Sequence, residues 1–272
     1  MLIAQITDTH IKAPGKLAYN RVDTAKMLAA CVAALCALDP QPDLVLHTGD
    51  LTDFGTPEEY AQLKAILRPL AAPILAIPGN HDEREAMRQA FATEGYLPSR
   101  GFLHYAVERG GLRFIGLDTL VPGKGGGELC AKRLVWLDAA LGQSPDTPTV
   151  VMMHHPPFLT GISHMDRLGL DGREGFAAVM RRHDQVQAIL CGHVHRPTVT
   201  HVGGRPAMIC PSPAHQVVLD LRPEGASAFR LEPPGYMLHR WQDGQLVSHV
   251  AVLGDWPGPF PFFNASGALI DG

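Results

Sequence analysis

The sequence predicts an α/β fold: a four-layer αββα sandwich of two mixed sheets with flanking helices and a small β-rich C-terminal addition. Three observations predict it. Short apolar runs alternate with segments of helical period over the first two thirds of the chain. The last third changes to short strands with tight turns and no long helix. The composition, 46% hydrophobic and 18% charged over 272 residues, is that of a globular chain large enough to bury a core without disulfide staples. The expected division is a core unit over residues 1–200 and a β-rich completion with a C-terminal cap or strap over 201–272.

The elements follow in order. Leu2–Ile6 reads as a strand. Residues 23–38 read as a helix, with Met27, Leu28, Cys31, Val32, Leu35 and Leu38 on one face. Residues 43–47 form a second strand. Thr56, Pro57 and Glu59 then mark a helix start, because Thr56 can cap, Pro57 suits the first turn and Glu59 completes a capping box. Residues 74–77 form a third strand, followed by a helix over 83–93. Residues 103–108 and 112–117 read as a hairpin across Gly110 and Gly111. A helix over 131–141, a strand over 150–153, a helix over 173–183 and a strand over 187–190 complete the alternating part. Beyond them, residues 198–202, 207–210, 216–221, 235–241 and 246–252 read as strands. Residues 256–263, rich in proline and aromatics, are expected to pack as a strap; a lid or subunit contact is the sharper alternative.

Composition excludes several classes. The net charge of −4 and the lack of a basic, aromatic-laced stretch argue against a nucleic-acid surface and a DNA nuclease. Cys31, Cys36, Cys130, Cys191 and Cys210 are odd in number, scattered and without a CxxC pair. That pattern predicts reduced thiols and a cytoplasmic location. No basic n-region and apolar h-region precede the first strand, so no signal peptide is expected. No stretch approaches ~18 uninterrupted apolar residues, so no membrane span is expected. No G-x-S-x-G elbow supports serine hydrolase chemistry.

The 14 histidines are the compositional oddity, and their positions carry the functional signal. Five segments hold candidate ligands: Asp8-Thr9-His10, Gly49-Asp50, Gly79-Asn80-His81-Asp82, His154-His155 and Gly192-His193-Val194-His195. Each falls just after a predicted strand, and sites in α/β sheets form beyond the carboxyl ends of strands. If the strands neighbour one another, the segments converge. Aspartate and neutral imidazole suit divalent Fe, Mn, Zn or Co. Asp50 stands alone between the other clusters and is the natural bridge between two ions, while Asn80 offers a neutral amide oxygen. Two divalent ions would bring four positive charges against the two carboxylates of Asp8 and Asp50. The excess would attract a phosphate and acidify a bound water, so a hydroxide between the ions is the expected nucleophile. Each segment alone has an ordinary reading as a cap, turn or loop histidine; all five in order do not.

These blocks, D-x-H, G-D, G-N-H-D, H and G-H-x-H, resemble the calcineurin-like metallophosphoesterases. The resemblance implies that Asp8, His10, Asp50 and His195 ligate one metal and Asp50, Asn80, His154 and His193 the other. It implies that His81 contacts the phosphate and protonates the leaving group, which with Asp50 makes the catalytic pair. The His154-His155-Pro156-Pro157 block and the stretches from Pro213 and Tyr236 narrow it to a bacterial branch of glycerophosphodiesterases and class III cyclic nucleotide phosphodiesterases. That branch implies a small phosphodiester substrate and a homo-oligomer. Ser/Thr protein phosphatases fit less well, since Gly49-Asp50 continues to Leu51-Thr52-Asp53 and Asn80-His81 to Asp82.

The candidate substrate-binding residues are Asn80, His81, His155 and His215. His155 and His215 can face the substrate or orient ligands from behind. His47 and His104 read as core or edge residues, Asp53 as a loop support, and His164 as a substrate wall or a solvated loop. Two rivals remain: a cyclic nucleotide (cAMP-type) phosphodiesterase, and a metal-binding regulatory protein without turnover, which missing ligands would favour.

Overall fold

The computed structural model describes residues 1–270. In chain order the first unit runs β1 (Leu2–Ile6), α1 (Thr24–Cys36), β2 (Leu44–His47), α2 (Pro57–Leu67), β3 (Ile74–Ala76) and α3 (Arg84–Ala90). The second runs β4 (Tyr105–Arg109), β5 (Leu112–Leu117), β6 (Gly127–Glu128), α4 (Ala131–Gly142), β7 (Thr149–Met153), α5 (Ser163–Asp166), β8 (Leu170–Asp171), α6 (Arg173–Met180) and β9 (Val186–Cys191). The rest is β10 (Thr198–Val202), β11 (Arg205–Ile209), β12 (Gln216–Val217), β13 (Phe229–Arg230), β14 (Gly235–Gln242) and β15 (Gln245–Val252).

Two mixed sheets result, ordered β15-β14-β1-β2-β3 and β10-β11-β9-β7-β5-β4. In the first, β1, β2 and β3 are parallel and β14 joins β1 antiparallel. In the second, β5, β7, β9 and β11 are parallel. Ile3, Leu44 and Leu46 of one sheet pack on Phe114, Val150 and Met152 of the other. On the outer faces, α1 and α2 cover the first sheet through Leu28, Leu35 and Leu63. Helices α4 and α6 cover the second through Leu137, Leu141 and Phe176. The αββα sandwich is therefore present, and each strand of the parallel part is buried on both faces.

Local signals explain the helix starts. Asp23 caps α1 by accepting from the Lys26 N–H at 3.0 Å. Thr56 and Glu59 form the capping box of α2, with Pro57 in the first turn.

Three expectations are corrected. The strand expected over 216–221 is only β12, paired with β13, because the chain turns at Asp220, which accepts from the Arg222 N–H and guanidinium. The helix expected over 83–93 ends at Ala90 and continues as a 3₁₀ turn, Ala92–Glu94, that stops at left-handed Gly95. The strap expected over 256–263 does not pack: Trp256, Phe260, Phe262 and Phe263 are all exposed. Among the described residues no helix is long and apolar enough to cross a membrane.

Candidate metal centre

The five candidate segments follow β1, β2, β3, β7 and β9. The first three strands are neighbours in one sheet and the last two are neighbours in the other. The segments therefore meet from two sheets at one end of the sandwich, where the carboxyl ends of parallel strands open. Reaching this point bends the backbone. Asp8, His10, Asp50, His193 and His195 all have positive φ, between 42° and 72°. Such conformations cost free energy in non-glycine residues and persist where the surroundings enforce them.

Main-chain hydrogen bonds supply that enforcement. Asp8 N–H donates to the Gly49 carbonyl and His10 N–H to the Asp50 carbonyl, which ties the first two loops together. The His193 N–H donates to both carboxylate oxygens of Asp8 at 3.0 Å. The His81 N–H donates to Asp50 Oδ1 at 2.9 Å. Asp82 accepts from the N–H groups of Leu51, Thr52 and Gly79, and from the Tyr60 hydroxyl at 2.8 Å. It pins the β2 and β3 loops to each other. Glycines here are required for space, Gly79 and Gly192 among them. A Cβ at Gly79 would run into the Asp50 carboxylate, and one at Gly192 into Thr7 and Asp8.

The imidazoles share one arrangement. His10 Nδ1 donates to Asp53 Oδ1 at 3.1 Å, His154 Nδ1 to the Thr48 carbonyl at 2.8 Å and His195 Nδ1 to the His215 carbonyl at 2.9 Å. His193 donates through Nε2 to the Leu168 carbonyl at 3.0 Å. The outward nitrogen of each ring is thus committed as a donor, and the inward nitrogen presents a lone pair. Those inward atoms crowd the carboxylates. His10 Nε2 lies 3.6 Å and His154 Nε2 3.3 Å from Asp50 Oδ2, and His195 Nε2 lies 3.4 Å from Asp8 Oδ1. His10 Nε2 and His195 Nε2 face each other at 3.2 Å, and His193 Nδ1 stands 3.1 Å from Asn80 Oδ1. His154 Nε2 is buried without any hydrogen-bond partner. Lone pairs aimed at lone pairs are repulsive unless a cation or proton lies among them. Asp8, His10 and Asp50 place ligand atoms within 4.8 Å of one another, and so do His154 and His193 together with His155, and His10 and His195 together with His215. The donor set fits two divalent cations.

Electrostatics carry the same imprint. Burial opposes ionisation of Asp50, but His154, His81 and His10 outweigh it and hold the carboxyl well below its ordinary range. Burial raises Asp8 to about 6 against the pull of His154. Burial likewise opposes charge on His154, yet Asp50 and Asp8 raise it to about 9.

The cleft above these residues has a volume of about 370 Å³ and is edged by Tyr19, His81, His164, Met165, His215 and Phe229. His81 sits at its rim, with Nδ1 donating to the Asp53 carbonyl at 2.9 Å and Nε2 left free. His215 is buried, and its Nδ1 has no partner. His164 is on this wall, one of its two expected alternatives.

His155 departs from the expectation of substrate contact. It is fully buried, and both nitrogens are used, at 2.8 Å from Thr119 Oγ1 and 3.1 Å from the Gly125 carbonyl. Its ring packs beside His154 and His193 and braces them. Three contributors were not singled out in the sequence: Tyr19, Phe229 and Asp53 as the partner of His10. Tyr19 and Phe229 lie far from any motif, and their ring centres come to 5.0 Å only in the fold. Asp53, three residues after Asp50, was the readable one. A larger hollow of about 850 Å³ lies between the edges near β3 and β4 and is lined by none of the candidate ligands.

Comparison with known proteins agrees with this geometry. The calcineurin-like phosphoesterase family matches residues 1–197. The chain is 42% identical, over the whole of both chains, to a probable glycerophosphodiester phosphodiesterase of Arcobacter nitrofigilis. It is 36% identical to a probable cyclic nucleotide phosphodiesterase of Synechococcus, covering 86% of this chain and 88% of that one. In fold it is similar to a dimetal phosphatase of Danio rerio, with a TM-score of 0.62 at 14% identity over 93% of this chain and 99% of that one. The chain therefore belongs to the calcineurin-like phosphoesterase family, in the branch that holds the glycerophosphodiester and cyclic nucleotide phosphodiesterases.

Proposed function

We propose that the protein is a metal-dependent phosphodiesterase that hydrolyses small diesters, with glycerophosphodiesters as its substrate class. The observation that carries this reading is the ring of inward-facing imidazole lone pairs around Asp8 and Asp50. Asp8, His10, Asp50 and His195 would hold one divalent cation, and Asp50, Asn80, His154 and His193 the other. The position of Asp50 Oδ2 between His10 and His154 supports its shared role. When bound, the cations supply positive charge for phosphate oxygens and acidify water. Which of Fe, Mn, Zn or Co serves is set by availability as much as by ligands.

The chain's own residues perform the rest. In this reading His81, which lines the cleft, contacts a phosphate oxygen and gives a proton to the departing alkoxide. The Asp53 carbonyl on Nδ1 fixes the orientation of the ring. Among the described residues the cleft wall contributes no lysine or arginine. A singly charged diester needs less compensation than a doubly charged monoester, which supports diester preference. Tyr19 and Phe229 favour a second reading, a cyclic nucleotide whose base stacks on them.

We place the protein in the cytoplasm, in keeping with five unpaired cysteines. We expect a homo-oligomer, since the exposed aromatics of the tail supply an apolar surface for a second copy. The deciding experiment takes chelated protein and measures hydrolysis of bis(p-nitrophenyl) phosphate before and after manganese, zinc or cobalt is restored. Turnover restored by metal, followed by faster cleavage of glycerophosphodiesters than of cyclic AMP, supports the reading. Two bound metals with no turnover of any diester would leave a metal-binding protein without catalysis.

A further inference from the structure

The space between the two sheets is filled by apolar side chains, with Ile3, Leu44, Leu46 and Met237 of one sheet against Val150, Met152 and Leu190 of the other. Gln5 and His239 break that pattern. Gln5 alternates with Ile3 along β1, and His239 alternates with Met237 along β14, so both side chains point inward between the sheets. Both are fully buried.

Their hydrogen bonds have one direction. Gln5 Nε2 donates to Thr48 Oγ1 at 2.9 Å and to the Cys191 carbonyl at 3.1 Å. A carbonyl only accepts, so the amide has just this orientation, with Oε1 turned to His239. His239 Nε2 donates to that oxygen at 3.0 Å, and its Nδ1 accepts from the Ser248 hydroxyl at 2.7 Å. The Gln5 amide thereby joins the two sheets. Gln5 lies in β1 and Thr48 just after β2, whereas Cys191 ends β9 in the other sheet.

Both anchors lead to the candidate metal centre. The Thr48 carbonyl accepts from His154 Nδ1 at 2.8 Å. Cys191 precedes Gly192 and His193, and the Gly192 N–H donates to the His154 carbonyl at 3.0 Å. Asp8, His10, Asp50 and Asn80 follow strands of the first sheet, while His154, His193 and His195 follow strands of the second. Each ligand set of the proposed centre therefore draws on both sheets, and its geometry depends on the spacing between them. Apolar packing holds the sheets together without direction. A satisfied buried polar network adds one defined arrangement.

We propose that Gln5, oriented by His239, is a positioning residue for the metal centre: it clamps Thr48 to Cys191 and so sets the distance between the ligands of the two sheets. The inference rests on the metal-binding reading of the site.

Two variants test it. Gln5→Met removes the amide and leaves the His239 Nε2–H without an acceptor. Gln5→Met/His239→Leu removes both partners, which costs far less stability than removing one. Each protein is titrated with cobalt against a chromogenic chelator, at a temperature where every variant is folded, so lost stability by itself does not lower the affinity. Both variants should hold the weaker ion roughly tenfold less tightly, and the visible absorption of bound cobalt should shift. The double variant should unfold in urea closer to the parent than Gln5→Met does. Parental affinities and a parental cobalt spectrum in the double variant would overturn the proposal and leave Gln5 and His239 as a structural pair. A parent chain that binds no cobalt would instead overturn the metal-binding reading, and this inference with it.

Discussion

Asp53 accepts the Nδ1 proton of His10 at 3.1 Å, with its second oxygen 2.8 Å from Lys12 Nζ. Burial works against charge on Asp53, but the hydrogen bonds from His10 and Lys12 bring it down to about 2. A carboxylate behind a ligating imidazole fixes the tautomer and makes the inward nitrogen more basic. Asp53→Ala should therefore lower metal affinity by about 10- to 100-fold while leaving the fold intact. Competition with a chromogenic chelator measures it, and unchanged affinity would reduce Asp53 to a loop support.

Asn80 stands 3.1 Å from His193 Nδ1 through its amide oxygen. Asn80→Ala should drop metal content toward one ion per chain. Turnover should fall by more than the roughly 10–100-fold expected for an outer partner. Elemental analysis beside initial rates decides it; two ions retained with normal turnover would remove Asn80 from the ligand set.

Gly79 has room for no side chain, because its Cβ would strike the Asp50 carboxylate and main-chain N–H. Gly79→Ala should cost about 1–3 kcal/mol of stability by overpacking and displace Asp50. Urea unfolding with a parallel metal assay separates the two effects. A variant as stable as the parent and fully metallated would show that the loop yields freely.

Removal of metal should lower the melting temperature as well as abolish turnover, since only the folded chain gathers the ligands from two sheets. Free metal at a thousand times its dissociation constant adds about 4 kcal/mol. Thermal scans with and without chelator read this directly, and coincident curves would argue against a site that forms only in the folded chain.

His239 is buried in β14 between Ser248 Oγ at 2.7 Å and Gln5 Oε1 at 3.0 Å. Burial, assisted by His249, lowers it to about 3, against an ordinary value of 6.5. Between those values the unfolded chain holds a proton that the folded chain refuses. Stability should therefore fall with pH below 6.5, by about 1.4 kcal/mol per unit from this group. His239→Gln should flatten the acid limb of a stability–pH curve; an identical slope would assign the acid loss to other buried histidines.

The alternating half of the fold was legible because buried parallel strands and amphipathic helices impose their own periods, as in Leu2–Ile6 and the α1 face of Leu28, Cys31 and Leu35. The tail was not. Trp256, Phe260 and Phe262 are apolar and were expected to pack, but hydrophobicity states a preference for burial and names no surface to receive it. For His155 the sequence left two roles open, substrate contact or support of the ligands from behind, for a related reason. Its neighbour His154 turns inward, whereas His155 is taken up by Thr119 and Gly125, residues 36 and 30 positions away.

The sequence by itself determined the alternation of strands and helices and the set of candidate ligands, because strand ends and residue types are local properties of the chain. Only the tertiary structure decided that three ligand segments come from one sheet and two from the other. It alone decided which nitrogen of each imidazole faces inward, and that Asp53, Tyr19 and Phe229 join the site. Those outcomes depend on hydrogen bonds and packing between residues distant in the chain, and no local pattern encodes such partners.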